Sequence, residues 1–449
     1  MDEFNGKRLL ILGLARQGKA LARFATEAGA AVTITDLRPP EKLRDILDEL
    51  SGLDIRYVLG EHPMELVDET DILAISGSVP LEAPLVQAAL AKGIPVTNDS
   101  LEFTKRTPTA VIGITGSAGK TTTTALTGVM SQVAGRRTWV GGNIGRPLIA
   151  DLDKMEPEDV VVQELSSFQL EIWDRSPHIA TVLNITPNHL DRHKTMKAYT
   201  NAKANILRYQ TAADISVLCA DDAGSLALSA IVRGKLRLFS LNNTVTEGAM
   251  VKDGRILIRN GAEKEICRVD EVQLRGRHNL LNVLAATTLA DSAGIPTEAI
   301  AHAIRTFTGV EHRLELVRLR RGVQWINDSI ATAPERSMAA LKAFSEPIVL
   351  LAGGRDKAME WDAWAEMVTQ RVKSVILFGD LAPMLAEKLA AQQHPDFRQV
   401  NTVTEAVEVA AETAVSGDIV LLSPGGTSYD AFQDFEARGR LFRQLVNEL

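Results

Sequence analysis

The chain is expected to fold as α/β in three domains, each built on a mostly parallel sheet with helices on both faces. Short β-branched runs alternate with helical patterns almost throughout, which is how a helix-covered parallel sheet is written in sequence. Glycine turns join a strand to a helix early in the chain and again near residue 115. A chain of 449 residues is also too long for one ordinary core, and roughly 150 residues per domain gives about three.

The first unit reads as strand Arg8 to Leu12, a glycine turn, helix Lys19 to Ala28 and strand Ala31 to Thr35, ending at Asp36. Strands at Ile55–Val58 and Ile72–Ile75 and a helix over Ala83–Lys92 complete a domain spanning residues 1–98. The next domain, 99–309, opens with strand Ala110–Ile114 and helix Thr121–Ala134. It continues through strands at Thr138–Val140, Val160–Gln163, Ala180–Asn184 and Ile215–Cys219. Met250–Val251 and Ile256–Ile258 flank Asp253-Gly254, a tight-turn pair that predicts a hairpin, and a helical stretch over Asn279–Ala293 closes the domain. In the third domain, 310–449, a hairpin around Arg321-Gly322 precedes strands Ile348–Leu351, Val375–Phe378 and Ile419–Leu422.

Composition narrows the function classes. Apolar residues make up 45% and charged residues 24%, and no run approaches the roughly 18 apolar residues a membrane span needs. The first apolar run, Leu9 to Leu12, is a strand's length and is soon followed by Arg16, so a cytoplasmic protein without leader or anchor is expected. Cys219 and Cys267 lack the spacing of a metal knuckle or a disulfide framework. A net charge of -8 argues against nucleic acid despite Arg318, Arg320 and Arg321. The expected partners are small molecules, and the expected state is a monomer.

The chemistry centres on Thr115-Gly116-Ser117-Ala118-Gly119-Lys120-Thr121 between a strand and a helix. Backbone N–H groups and the helix dipole at such a turn favour a phosphate. Lys120 supplies a point charge and the Thr121 hydroxyl a ligand for Mg2+. Ile114 occupies the first glycine of the strict phosphate-loop pattern, so the pattern is met only in part. A hard cation held by phosphates and one hydroxyl needs further oxygen ligands. Glu164, at the end of the strand Val160–Gln163, is the candidate, against the plainer reading of an edge carboxylate facing water. His189 and Asp191 follow the next strand, where a lone loop histidine is ordinarily just solvated. Lys203, read from the residues alone, is a surface lysine.

The phosphate loop together with Gly142-Asn143-Ile144-Gly145, Glu164-Leu165-Ser166-Ser167-Phe168-Gln169-Leu170-Glu171 and Asn188-His189-Leu190-Asp191-Arg192-His193 resembles the Mur ligases of peptidoglycan synthesis, over essentially the whole chain. The resemblance implies a Rossmann-like N-terminal domain for a uridine nucleotide, a central P-loop-type ATPase domain, and a Rossmann-like C-terminal domain for the amino acid. It implies an ATP-dependent ligase that joins D-glutamate to UDP-N-acetylmuramoyl-L-alanine through an acyl phosphate. It assigns Gly116, Ser117, Ala118, Gly119, Lys120, Thr121, Thr122, Asn279, Asn282, Arg313 and Asp328 to ATP. Catalysis falls to Lys120, Glu164, His189 and Lys203. Two Mg2+ ions are implied on Thr121, Glu164, His189 and a carbamylated Lys203. Leu14, Ala15, Arg16, Asp36, Leu37, Arg38, Asn143 and Ser166 match contacts to the uridine-nucleotide substrate. Thr332, Lys357, Ser428 and Phe435 match contacts to glutamate.

Three positions depart from the family pattern: Ile330 where lysine is usual, Ala118 where asparagine is frequent, and Gly77 where proline is usual. Ile330 removes a cation beside Asp328, which leaves the amino acid added, and its stereochemistry, open. The alternatives are a ligase of the same superfamily adding another amino acid or acting on folate, a nicotinamide-dependent oxidoreductase, and a nucleotide-switched binding protein. Gly13-Leu14-Ala15-Arg16-Gln17-Gly18 is one glycine short of the dinucleotide fingerprint, which counts against the oxidoreductase.

Overall fold

The structure, a computed structural model, describes residues 2–449 other than Ser78, Arg275, Lys357 and Ala358, and for Asp191 the backbone alone. The described residues form three sheets. In the first, β1 (Arg8–Leu12), β2 (Ala31–Asp36), β3 (Ile55–Leu59), β4 (Ile72–Ile75) and β5 (Val96–Thr97) run parallel in the order β3-β2-β1-β4-β5. The order reverses beside β1, so the loop after β1 opens at a switch point, where such sheets gather ligands. Helix Arg16–Glu27 leaves that loop with Gly18 so close to Gly13 that an added Cβ would lie 2.1 Å from the Gly13 carbonyl oxygen.

The second sheet contains β6 (Val111–Thr115), β7 (Thr138–Gly142), β8 (Val160–Glu164), β9 (Ile179–Val182), β10 (Ile215–Cys219), β11 (Lys235–Ser240), β12 (Gly248–Lys252), β13 (Arg255–Asn260) and β14 (Ala262–Arg268). Their order is β14-β13-β12-β11-β10-β9-β6-β8-β7, parallel from β7 to β12 and antiparallel at β13 and β14. Since β8 and β9 flank β6, the loops leaving all three lie side by side. The third sheet holds β15 (Glu315–Arg320), β16 (Val323–Asn327), β17 (Ile348–Gly353), β18 (Val372–Phe378), β19 (Phe397–Gln399) and β20 (Ile419–Gly425) in the order β15-β16-β20-β17-β18-β19. β15 is antiparallel to β16 and the other pairs are parallel. Strands such as β17 are buried along their whole length, as a sheet covered on both faces requires.

Both expected hairpins form. Asp253 (φ 49°) and Gly254 (φ 72°) make the two-residue turn between β12 and β13, and Arg321 (φ 50°) and Gly322 (φ 78°) that between β15 and β16. Positive φ at both central residues gives a turn whose twist matches the strands it joins. The strand expected over Ala180–Asn184 ends at Val182, because Asn184 turns to bond the phosphate loop. β11, β14 and helix Thr297–Thr306 lie outside the sequence-based expectation. β14 starts Ala-Glu-Lys-Glu, an exposed and charged edge with no apolar alternation to read.

Packing groups the chain into two compact units, residues 1–307 and 308–449. The first two sheets share a core: Phe4, Leu9 and Ile11 pack in one cluster with Phe103, Leu148, Ile149 and Val161. The third sheet carries its own cores, with Trp364, Leu350 and Leu377 on one face and Trp325, Leu351 and Phe442 on the other. Among the described residues no helix is long and apolar enough to cross a membrane.

Candidate active site

The loop after β6 turns into helix Lys120–Val133 through Gly119, whose φ of 86° is left-handed and favours glycine. A Cβ there would also lie 2.2 Å from Asn282 Oδ1 on helix Arg277–Ser292, so the two helices meet at the loop. Asn282 Nδ2 donates to Asn279 Oδ1 at 3.2 Å, which places both asparagines of the ATP assignment at this contact. The loop is pinned from the β9 side. Ser117 N donates to the Asn184 carbonyl at 3.0 Å, Ala118 N to Asn184 Oδ1 at 2.8 Å, and Ser117 Oγ to the Thr186 carbonyl at 3.0 Å. Lys120 folds over its own loop, with Nζ donating to the Gly116 carbonyl at 2.9 Å. Thr121 is buried and Thr122 half-buried on the first turn of the helix.

The metal-ligand candidate Glu164, and Lys203, which reads from the residues alone as a surface lysine, are both enclosed. Glu164 is 1% exposed at the end of β8, which lies inside the sheet and not at its edge. Its Oε1 accepts from Asn143 Nδ2 at 2.8 Å, while Oε2 is buried without a hydrogen-bond partner. Lys203, on helix Met196–Arg208, is also 1% exposed. Its Nζ donates to the Gly116 carbonyl at 2.9 Å and lies 4.7 Å from the centre of the Tyr199 ring. Burial, and then the like charge of Lys120, hold the Lys203 amine well below the usual lysine range against the opposing pull of Glu164. Tyr199, one helical turn before Lys203, donates to Ser117 Oγ at 2.9 Å. Sequence reasoning missed it, and the only trace was its four-residue spacing from Lys203 on one helix face.

His189 is exposed, takes φ 53° at the start of helix Leu190–His193, and sets its ring edge-on to Phe168 with centroids 5.0 Å apart. The buried histidine of the motif is His193. Its Nε2 bonds Ser167 Oγ at 2.9 Å, its Nδ1 lies 3.0 Å from Glu171 Oε1, and its ring stacks on Phe168. Arg192 covers the Phe168 ring at 4.1 Å and donates to the Gly77 carbonyl at 2.8 Å, joining the loop after β9 to the loop after β4. Neither residue was singled out from sequence. The Ser166 hydroxyl caps helix Ser167–Leu170, accepting from Gln169 N at 3.2 Å within a capping box.

At the first sheet's switch point, Asp36 braces the loop. Its Oδ2 accepts from Leu14 N at 2.7 Å and its Oδ1 from Arg38 Nε at 2.9 Å, while Arg38 Nη2 also donates to the Leu14 carbonyl at 2.9 Å. Burial alone pushes the Asp36 carboxyl up, but Arg38 and the two amides outweigh it and hold it at about 2. Arg38 is thus tied to Asp36 while its side chain stays partly exposed. The Leu14 side chain is fully buried, so only its backbone faces the crevice; Ala15, Arg16 and Leu37 are exposed. Arg16 Nη2 reaches the Asn143 carbonyl at 3.5 Å and also faces the buried Asp99, whose carboxyl burial pushes up to about 7.

In the third sheet, the loops after β16, β20 and β17 lie together. Asp328 is buried, accepting from Ser423 Oγ at 2.9 Å and Leu314 N at 3.2 Å, and burial pushes its carboxyl up to about 7 against the charges of Arg313 and Arg336. Thr332 is half-buried, Ser428 buried, and Phe435 starts helix Phe435–Glu448. Lys357 lies outside the described residues. The fully buried Arg438 ties the two loops together, with Nε donating to Ser329 Oγ at 3.0 Å and Nη1 to the Thr427 carbonyl at 3.2 Å.

A phosphate-type loop at the centre of one parallel sheet, with a Rossmann-like sheet before it and another after it, defines a nucleotide-using α/β enzyme. Three family models match in chain order: the MurD-like N-terminal domain of Mur ligases over residues 7–98, the Mur ligase middle domain over 114–290, and the Mur ligase glutamate ligase domain over 312–426. The UDP-N-acetylmuramoylalanine–D-glutamate ligase of Symbiobacterium thermophilum is 42% identical over 99% of this chain and 98% of its own. The protein of that name from Pelotomaculum thermopropionicum is 40% identical over 100% of this chain and 99% of its own. The chain belongs to the Mur ligase family. In fold it is similar to MurF from Acinetobacter baumannii (TM-score 0.58, 15% identity, 97% of this chain and 93% of that one). It is similar also to the UDP-N-acetylmuramate-alanine ligase of Thermotoga maritima (TM-score 0.56, 20% identity, 98% of this chain and 99% of that one).

Proposed function

We propose that this enzyme joins D-glutamate to UDP-N-acetylmuramoyl-L-alanine at the expense of ATP, working as a cytoplasmic monomer. The amino acid is taken from the names of relatives aligned over the whole chain. The observation that carries the chemistry is the buried Glu164 with an unpartnered oxygen, whose charge acts on Lys203, while Lys203 and Lys120 both donate to the Gly116 carbonyl of the phosphate loop.

A carboxylate is a poor acyl donor until one of its oxygens becomes phosphate. In the first step a carboxylate oxygen of the alanyl end bonds to the γ phosphorus of ATP as the bond to the bridging oxygen breaks and ADP leaves. The amine of glutamate then attacks the acyl carbon, its proton is lost, and phosphate departs with the activating oxygen. No protein nucleophile is required. Lys120 and the loop amides orient the phosphates, and Asn282 against Gly119 fixes the shape of the loop. Asn143 holds Glu164 from the substrate side, with its own carbonyl reached by Arg16.

A divalent cation fits Glu164, whose Oε2 is a dehydrated acceptor with no protein donor. Among the described residues no three His, Cys, Asp or Glu gather as a ready cation site, so Glu164 needs oxygen from elsewhere. Thr121 offers a hydroxyl, and Lys203 offers an amine that burial pushes toward the neutral form, the form CO2 converts to a carbamate with loss of one proton. With His189 these residues form the proposed set for two Mg2+ ions. When bound, Mg2+ neutralises phosphate charge. We further assign residues 1–98 to the uridine nucleotide, 99–309 to ATP, and 310–449, with Thr332, Ser428 and Phe435, to glutamate.

The test is ATP-dependent phosphate release with UDP-N-acetylmuramoyl-L-alanine and, separately, D-glutamate, L-glutamate and other amino acids. Release is expected with D-glutamate. Equal or greater release with another amino acid would reassign the substrate, and release with none would sink the ligase reading.

A further inference from the structure

Ile330 carries no charge beside Asp328, whose nearby cations are Arg313 and, from the neighbouring helix, Arg336. The loop 328–332 leaves β16 and enters helix Pro334–Leu341, with Arg336 in its first turn. The arginine folds back over the loop. Its Nη1 donates to the Ile330 carbonyl at 3.4 Å, the same oxygen that accepts the Thr332 amide at 2.8 Å, and its charge is felt by Asp328. Arg336 is exposed and enters no ion pair among the described residues. A guanidinium carries five N–H donors in a fixed fork and stays charged at every accessible pH. One long bond to a carbonyl leaves most of that fork to a ligand, and the ligand that matches its geometry is a carboxylate.

We propose that Arg336 binds a carboxylate of the incoming amino acid, supplying from the helix the cation that Ile330 does not supply from the loop. The inference rests on the reading of residues 310–449 as the amino-acid site. It makes the site's charge depend on a pair of positions, 330 and 336, taken together. Ile330 is half-buried, and its side chain brings no charge of its own to the loop.

The test is steady-state kinetics on the full chain, varying D-glutamate, ATP and UDP-N-acetylmuramoyl-L-alanine in turn. Arg336→Ala is expected to raise the KM for D-glutamate by about tenfold or more, with the other two KM values unchanged. Arg336→Lys should recover only part of the loss, since a point charge lacks the fork. Adding Ile330→Lys to Arg336→Ala should lower the raised KM again. A KM for D-glutamate that is unchanged in Arg336→Ala, or that rises together with the other two, overturns the inference. So does a double variant that recovers nothing. A wild-type chain that turns over no amino acid defeats the ligase reading and this inference with it. A wild type that is active beside an Arg336→Ala of equal KM defeats the inference alone.

Discussion

Lys203 shows what a single residue's surroundings do to its chemistry. In water its amine would be a cation, and on an exposed helix face it would matter little. Enclosed beneath the phosphate loop, beside a second lysine, it is pushed toward the neutral form that can be carbamylated. Lys203→Arg keeps a long basic side chain, but its guanidinium stays charged and cannot form a carbamate. Its ligase rate is expected to fall by about a hundredfold or more. Phosphate-release kinetics check this, and wild-type turnover by the variant would end the carbamate assignment. None of it was visible from the residues around position 203, because burial of a lysine is decided by which helix packs over which loop. Asp36 and Arg38 make the same point. Two residues apart in sequence, they read as separate ligand contacts, and only the fold shows them bonded to each other and to Leu14.

At the scale of elements, the strand-loop-helix unit at residues 111–133 was the most legible part of the chain. Its apolar run, its glycines, its lysine and the proline-free stretch that follows each point to the same structure. The turns at Asp253-Gly254 and Arg321-Gly322 were legible for the same reason, since few residues accept positive φ. What could not be read was contact between elements far apart in sequence, such as helix Arg277–Ser292 pressing Asn282 against Gly119. That contact makes Gly119 doubly constrained, by a φ of 86° and by an Asn282 oxygen 2.2 Å from any added Cβ. Gly119→Ala is expected to weaken ATP binding by about tenfold or more, since the backbone conformation alone disfavours alanine by about 1–2 kcal/mol before the clash is counted. Titration calorimetry with ATP measures it. Binding at wild-type strength would show that the loop can open away from Asn282.

The whole molecule divides differently from its sequence. Three sheets were expected and three formed, yet the first two are stitched into one unit by a shared core that includes Phe4, Ile11, Leu148 and Ile149. An apolar residue on a strand announces that it will be buried, and says nothing about whose side chains will bury it. Residues 308–449 keep both cores of their sheet to themselves. Expressed alone, that segment is expected to unfold in one cooperative urea transition, whereas residues 1–98 alone should show no cooperative transition. Circular dichroism on the two fragments decides it, and a cooperative 1–98 would mean the shared core is dispensable.

The same stitching governs how this enzyme could be recombined with its relatives. A chimera joined near residue 307 would exchange an intact building block. One joined near residue 98 would have to carry Leu148, Ile149 and Met155 across with the N-terminal sheet, because those side chains belong to its interior though they are written fifty residues downstream. Breakpoints chosen from the motif boundaries alone would split that interior between two parents.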